Sequence, residues 1–294
     1  MSAVTTPASA AQELPPQVMR KRRRRWTFYI LPVFTIGMIV YLTAPVFLMI
    51  VYSFNKLSGT GERMVPRFTC CTLEWWQDIL GVPALNEAIK VSLIVAPISA
   101  LIAAILGTLI GLVLGRYPFG GRGATNFVIF LAIAVPEIVL ASALLTWFVQ
   151  WNQWTLFGVT WSFGYPTILF SHIGFSIAFV AITVRARVQG LDRSLENAAQ
   201  DLFATPVVAF FKVTLPLILP GVVAGFLLAF VLSLDDFVIT NFVKGQTNTL
   251  PTWVYGTAKI GIPPQVNVWG TVLFGVGVVL AIVNLFSSRR AARA

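Results

Sequence analysis

Charged residues are scarce in this sequence. Only 11% of its 294 residues are charged, whereas 57% are hydrophobic and the mean hydropathy is +0.81. A soluble protein of this length cannot bury that much apolar surface, so a soluble fold is excluded and the bilayer must act as solvent. The apolar runs are long and lack the alternation of a membrane strand. We therefore expect an all-α integral membrane protein, since helices satisfy their own backbone in lipid.

Residues for chemical catalysis are equally scarce. The chain has one His and two Cys, the neighbours Cys70 and Cys71, which are too few for a metal site and are expected to be structural or free thiols. The phosphate-binding pattern G-x-x-x-x-G-K-[ST] is absent, as are G-x-S-x-G and H-E-x-x-H. An enzyme, and in particular hydrolysis of ATP by this chain, is therefore not expected, and no cofactor is expected in it.

Six apolar runs are long enough to cross a membrane. They are residues 28–54, 91–114, 127–149, 168–184, 217–234 and 268–286. We predict six transmembrane helices in a domain of residues 26–294. Residues 1–25 are predicted to be a disordered basic tail. The first run is too long for a cleaved signal peptide, and no A-x-A-like site follows it.

The basic residues are unevenly distributed between the loops. Most of the 21 Lys and Arg fall on one side of the predicted spans: residues 20–25, Arg116, Arg122, Arg185, Arg187, Arg193, Lys212, Arg289, Arg290 and Arg293. The positive-inside rule then places both termini in the cytoplasm, with the loop of residues 185–216 beside them. The net charge of +10 is explained by this topology and by contact with anionic lipid, so no nucleic-acid partner is expected.

The loop of residues 185–216 is the most informative stretch. Asp192 or Ser194 is suited to cap a first short helix. Its apolar residues Leu195, Ala198, Ala199 and Leu202 are spaced along one side. Thr205 and Pro206 then predict the start of a second short helix, which Pro216 is expected to end. Two amphipathic helices in one cytoplasmic loop indicate a docking surface for a soluble partner.

Glu137 is an acid inside the third predicted span. On a continuous helix it lies about 20 Å from the cytoplasmic end, near the middle of the bilayer. A carboxylate facing lipid there is costly, so we expect it to face a bundle interior or a wet cavity. The alternative is a protonated or hydrogen-bonded acid that braces helices.

Further candidate residues lie near the outer ends of the later spans. Asp235 and Asp236 end the fifth span, and only one of two adjacent helical residues is expected to face a cavity. The alternative is a solvated pair of charges. Trp147 belongs to a group of tryptophans that forms an interfacial belt or offers π-faces to a cation. His172 is expected to make a helix-to-helix hydrogen bond rather than to relay protons.

Three motifs carry a resemblance to a known family. Asn197-Ala198-Ala199, Phe203 and Val213-x-Leu215-Pro216 stand at the spacing E-A-A, three residues, G, nine residues, I-x-L-P. This is the loop motif of the permease subunits of ABC importers, type I, with MetI-like architecture. The segments SLDDFVITNFV (233–243), LPTWVYGTAKIGIPPQVN (250–267) and VPEIV (135–139) resemble the spermidine/putrescine branch of that family.

The resemblance implies partners and site residues. The chain would be one half of a permease that pairs with a second, related permease chain, two cytoplasmic ATPase subunits that bind ATP and Mg²⁺, and an extracytoplasmic binding protein. The ATPase-coupling residues would be Glu196, Asn197, Ala198, Ala199, Asp201, Phe203, Pro206, Leu215 and Pro216. The substrate path would include Glu137, Asp235, Asp236 and Trp147.

Two positions depart from the family motif. Asn197 replaces the usual Glu, although Glu196 and Asp201 are nearby carboxylates. Phe203 replaces the usual Gly, and because Phe disfavours positive φ, the bend is expected to move to residues 204–206. Otherwise Phe203 is expected to fill a groove on the ATPase.

Other functions remain open from the sequence. The same architecture serves an ABC permease for another small cation or for an anionic solute. A different class is a proton-coupled secondary cation transporter that uses Glu137 and His172 as a relay. A purely structural membrane scaffold is disfavoured by the buried acid.

Overall fold

The computed structural model describes residues 27–56, 68–69, 71–153, 162–192 and 194–291. This described part is helical, with one isolated antiparallel bridge between Asn55 and Cys71 as its only β pairing. The all-α prediction is confirmed. The predicted disordered tail, Cys70 and the basic residue Arg193 lie outside the described residues.

The chain divides into two compact units, Met1–Met49 and Ile50–Ala294. Most of helix α1 (Thr27–Tyr52) belongs to the first unit, and its apolar side chains are exposed, as a lipid-facing helix requires. The hydroxyls of Thr35 and Thr43 donate hydrogen bonds to the carbonyls of Leu31 and Ile39, each at 2.8 Å. Such bonds keep the polar groups satisfied inside an apolar span.

Three long helices form the core of the second unit: α3 (Pro83–Arg116), α6 (Tyr165–Gln189) and α9 (Leu215–Asp235). Glycines let α3 approach α6 closely, because a Cβ at Gly107 would lie 2.6 Å from Val180 Cβ and one at Gly111 only 2.8 Å from the Ala181 carbonyl. The predicted spans 91–114, 168–184 and 217–234 fall inside these helices. Helix α6 continues four residues beyond Arg185, so the polar loop begins later than predicted.

The third predicted span is not one helix. It consists of α4 (Arg122–Ala134) and α5 (Glu137–Gln153), bent by 105° at the break between them. Pro136 has no N–H to donate, and its ring forces Val135 into an extended conformation with ψ 131°. The prediction of a continuous helix was therefore wrong, and the depth of Glu137, which was derived along such a helix, stays a prediction. Glu137 is the first residue of α5.

Pro216 does not end a helix either, contrary to the prediction. Helix α8 (Pro206–Ala209) passes through a π-helical turn, Phe210–Thr214, into α9, so the chain is helical from residue 206 to 235. In the wide turn the Leu215 N–H bonds to the carbonyl of Phe210. A π turn makes room for a proline ring that would clash with the carbonyl of an ordinary α-helix.

The remaining helices connect or flank this core. They are α2 (Glu74–Gln77), α7 (Ser194–Asp201), α10 (Val238–Val243), α11 (Leu250–Ala258) and α12 (Gln265–Ala291). Within the described residues, four helices are long and apolar enough to span a membrane, or five if α4 and α5 count together. The sixth predicted span falls within α12, where the apolar stretch Gln265–Val279 is too short to be counted as a span. The fold class is confirmed, whereas the count of six spans is not.

Candidate functional site

Asp236 is a buried carboxylate between α9 and α10. Its side chain is 2% exposed and accepts hydrogen bonds from the backbone N–H groups of Ile239 (3.3 Å) and Thr240 (2.7 Å) and from the Thr240 hydroxyl (2.6 Å). The aspartate thereby satisfies N–H groups at the start of α10 that have no partner within the helix. The alternative of two solvated charges is wrong for Asp236.

His172 links Asp236 to two other helices. Its Nε2 lies 3.2 Å from Asp236 and 2.9 Å from the Thr240 hydroxyl, while its Nδ1 lies 2.6 Å from the Ser233 hydroxyl. Ser233 in turn contacts the Ser99 hydroxyl at 2.9 Å. In one consistent arrangement the hydroxyls donate towards Nδ1, and Nε2–H donates to the carboxylate. The prediction that His172 makes helix-to-helix hydrogen bonds is confirmed.

Sequence reasoning missed three members of this cluster, namely Ser99, Ser233 and Thr240. Each is a small polar residue in an apolar helix, which is the available signal for a buried hydrogen bond. Their partnership depends on packing between residues as far apart as 99 and 233. No local pattern reports such a contact.

The other two acids remain exposed. The Glu137 carboxyl group is a close neighbour of the Asp236 carboxylate, with Asp235 the next acid in range. Helix α5 packs against α10, which brings Glu137 to this position. Asp235 is exposed whereas Asp236 is buried, so the adjacent aspartates have different environments. Which of them faces a cavity stays a prediction. The structure thus brings Glu137, Asp235 and Asp236 together around one anionic centre.

Trp147 is not part of this centre. It lies ten residues beyond Glu137 on α5, about 15 Å along the helix axis. Its ring packs against Trp151, with centroids 5.1 Å apart, and lines an apolar cavity of about 150 Å³ with Phe148, Trp151 and Phe170. Trp154 and Trp161 lie outside the described residues.

The loop after α6 contains the first predicted short helix, α7, and the second predicted helix begins at Pro206 but continues into α9. The Ser194 N–H donates to the Asp192 carboxylate at 2.9 Å, and this bond holds the pKa of Asp192 below its usual value. The contribution of this bond is therefore present at neutral pH and lost as the pH falls through that lowered pKa. Thr205 accepts from the Val208 N–H at 3.4 Å, and Pro206 begins α8. Both capping predictions are confirmed.

Phe203 occupies the turn between α7 and α8, with φ +64°. The Phe203 N–H bonds to the carbonyl of Gln200 and the Ala204 N–H to that of Ala199, which is the Schellman pattern. The prediction that the bend moves to residues 204–206 was wrong: Phe203 adopts the left-handed conformation usually left to Gly. Two hydrogen bonds hold it there despite a cost of about 1–2 kcal/mol.

The exposed surface of this segment is apolar at its tip. Phe203 is 98% and Leu202 82% exposed, the highest values among the large hydrophobic side chains described. Asn197, Ala198, Asp201, Pro206 and Pro216 are also exposed, whereas Ala199 and Leu215 are half-buried. Glu196 points inward, to Arg116 and Thr214. We call residues 194–209 the coupling segment, because they contain most of the residues predicted to couple to an ATPase.

These features define a helical membrane protein with a buried polar centre and a projecting apolar loop. Residues 107–291 match the family described as "Binding-protein-dependent transport system inner membrane component", so the chain belongs to that family. It is a permease of the ABC-transporter class. The crystal structure of a bacterial ABC transporter for alginate import has the same fold, with a TM-score of 0.69 and 18% identity over 92% of this chain and 96% of that one.

Individual relatives are more similar in sequence. The putrescine transport system permease protein PotI of Escherichia coli K12 is 34% identical over 81% of this chain and 84% of its own length. The spermidine/putrescine transport system permease protein PotC of the same strain is 34% identical over 87% of this chain and 92% of its own length. The resemblance drawn from the loop motif and the segments 233–243 and 250–267 is confirmed.

Proposed function

We propose that this chain is the permease subunit of an ATP-driven importer of polyamines in the bacterial inner membrane, with both termini in the cytoplasm. It forms half of the path with a second, related permease chain. Two cytoplasmic ATPase subunits bind ATP and Mg²⁺, and an extracytoplasmic binding protein delivers the solute. This chain carries no catalytic site.

The exposed apolar tip of the coupling segment is the observation that supports an ATPase partner. Phe203 is 98% exposed and is held in a strained conformation next to Leu202, so its ring buries almost no surface against the part of the chain that the structure describes. Exposed apolar residues at the tip of a projecting turn fit a groove on a soluble protein. Closure of the ATPases would then move the segment and, through α8 and α9, change the side of the membrane to which the path is open.

The acids support a polyamine as solute. Glu137 and Asp235 are exposed beside the buried Asp236, so three acids share one region. Like charges at short range repel, and an approaching polycation relieves that repulsion. The relatives PotI and PotC are named for putrescine and spermidine. Because Asp236 is fully engaged by His172 and Thr240, Glu137 and Asp235 are the acids that would contact the solute.

Co-purification tests the assembly. A tag on this chain, with membranes solubilised in mild detergent, should recover an ATPase and a second permease chain in stoichiometric amounts. Proteoliposomes of that complex with its binding protein should accumulate radiolabelled putrescine or spermidine only when ATP is supplied. Recovery of this chain without an ATPase would contradict the proposal.

Competition tests the choice of solute. Excess unlabelled polyamine should abolish uptake, whereas an organic anion or an inorganic cation at the same concentration should not. Displacement by an anion would favour the same architecture with a different cargo.

The proton-coupled alternative has one observation in its favour. Glu137 and His172 both reach Asp236, so a continuous polar connection joins the two groups of the postulated relay. Uptake by this chain alone, driven by a pH gradient without ATPase, would support that alternative. Membership of the binding-protein-dependent family favours the ATP-driven function.

A further inference from the structure

Three residues from three elements meet beneath the coupling segment. Arg116 is the last residue of α3, Glu196 lies in the first turn of α7, and Thr214 ends the π-helical turn before α9. One carboxylate oxygen of Glu196 forms an ion pair with Arg116, and the other accepts a hydrogen bond from the Thr214 hydroxyl. We call this arrangement the Arg116–Glu196–Thr214 clasp.

The clasp is shielded from solvent. The side chains of Arg116 and Glu196 are 11% and 24% exposed, and Thr214 is 2% exposed. By contrast, the Lys90–Glu87 pair on α3 is 64% and 65% exposed. Exposed pairs contribute little because water screens them, whereas removing one partner from a shielded pair leaves a charge without compensation.

Helix α7 needs such an anchor. It has eight residues, and none of them is buried. An isolated helix of that length is marginal in water, because nucleation outweighs the few hydrogen bonds gained. The backbone connects α7 to α9 through the turn at Phe203 and α8. The clasp adds a second tie, made by side chains, and it also reaches α3.

We propose that Glu196 is a positioning residue that fixes the coupling segment to the ends of α3 and α9, so that movement of the segment is passed to both helices. This inference rests on the proposed function. Glu196 then binds partners within this chain. The alternative is that its carboxylate contacts the ATPase and so replaces the Glu that the family usually has at position 197. Loss of the clasp then uncouples ATP hydrolysis from uptake without removing the ATPase.

The test compares single variants in the complex recovered through a tag on this chain. Glu196→Gln and Arg116→Gln should each raise the ATP hydrolysed per putrescine accumulated by about tenfold, the factor that corresponds to ~1.4 kcal/mol. The recovered ATPase should stay at the wild-type level. The charge-reversed pair Arg116→Glu with Glu196→Arg should restore a substantial part of the coupling. Glu87→Gln, which breaks the exposed pair on α3, is the matched control and should change nothing.

A second readout does not depend on the partners. Hydrogen exchange of the amides in residues 194–201 should be faster in Glu196→Gln than in wild type, because α7 loses its anchor. If Glu196→Gln fails to accumulate in membranes, Thr214→Val, which removes one hydrogen bond and no charge, should show the same exchange change to a smaller extent.

Several outcomes would overturn the clasp. Wild-type coupling and wild-type exchange in Glu196→Gln would do so. Loss of the ATPase from Glu196→Gln but not from Arg116→Gln would also do so, because Glu196 would then be a docking contact. A wild-type complex without ATPase or ATP-driven uptake contradicts the proposed function instead, and the exchange measurement still decides whether the clasp holds α7.

Discussion

Neighbouring aspartates at the end of α9 have different environments. Asp236 is enclosed by His172 and by the first turn of α10, whereas Asp235 is exposed. A side chain that is fully engaged has little freedom to bind a passing solute, whereas an exposed carboxylate can be approached by one. The two residues should therefore fail in different ways when they are neutralised.

Asp236→Asn should destabilise the protein and Asp235→Asn should not. The first change replaces a carboxylate oxygen that accepts hydrogen bonds from the start of α10 and the Thr240 hydroxyl and contacts His172, at a cost of about 1.5–3 kcal/mol. The second should alter stability by less than about 0.5 kcal/mol while it lowers polyamine uptake. Thermal unfolding of the purified complex, with uptake measured in parallel, separates the two effects. Equal stability of the two variants would contradict the structural role of Asp236.

Phe203 has a strained backbone conformation and an exposed ring. Substitution by Gly or by Ala distinguishes the effect of the strain on stability from the effect of the ring on ATPase binding. Phe203→Gly removes both, so it should raise stability by about 1 kcal/mol while the recovered ATPase decreases by about tenfold. Phe203→Ala removes the ring and keeps the strain, so it should lose ATPase without gaining stability. Thermal unfolding and quantitative co-purification report the two quantities. Unchanged ATPase recovery in both variants would show that the ring does not dock.

The effect of a proline on a membrane helix depends on the turns around it. Pro136 lies inside an apolar run and Pro216 directly precedes one, yet the chain breaks by 105° at the first and stays helical through the second. The outcome depends on whether neighbouring turns can widen, as the π turn of residues 210–214 does. The six apolar runs, helix α7, the helix start at Pro206 and both caps follow from local patterns. The break, the buried cluster around His172 and the clasp follow from packing between distant segments.

The close contact between α3 and α6 depends on glycines, which have no side chain. At Gly111 a Cβ would lie 2.8 Å from the Ala181 carbonyl oxygen, which is backbone and cannot turn away. Gly111→Ala should therefore destabilise the protein by about 1–3 kcal/mol through overpacking. Gly174→Ala, where a Cβ would meet nothing within 4 Å, is the control and should be neutral or slightly stabilising. The thermal midpoint of the purified protein measures both, and equal midpoints would refute close packing at Gly111.

The whole molecule leaves surfaces open that a working transporter must cover. Glu137 and Asp235 are exposed in the single chain, and so is the tip of the coupling segment. An acid at membrane depth requires a wet cavity or a protein neighbour. Under the proposed function, a second permease chain would cover the exposed acids and an ATPase would cover the tip of the coupling segment.

Proteoliposomes that contain this chain alone should accumulate no polyamine, whether ATP or a pH gradient is supplied. The chain would form only half of the path, and without the ATPase no force would act on α7. Adding the second permease, the ATPase and the binding protein should establish uptake that depends on ATP. Removing only the ATPase from that mixture is the control, and it should abolish accumulation at any pH gradient. Gradient-driven uptake by the chain alone would instead assign Glu137, Asp236 and His172 to proton transfer.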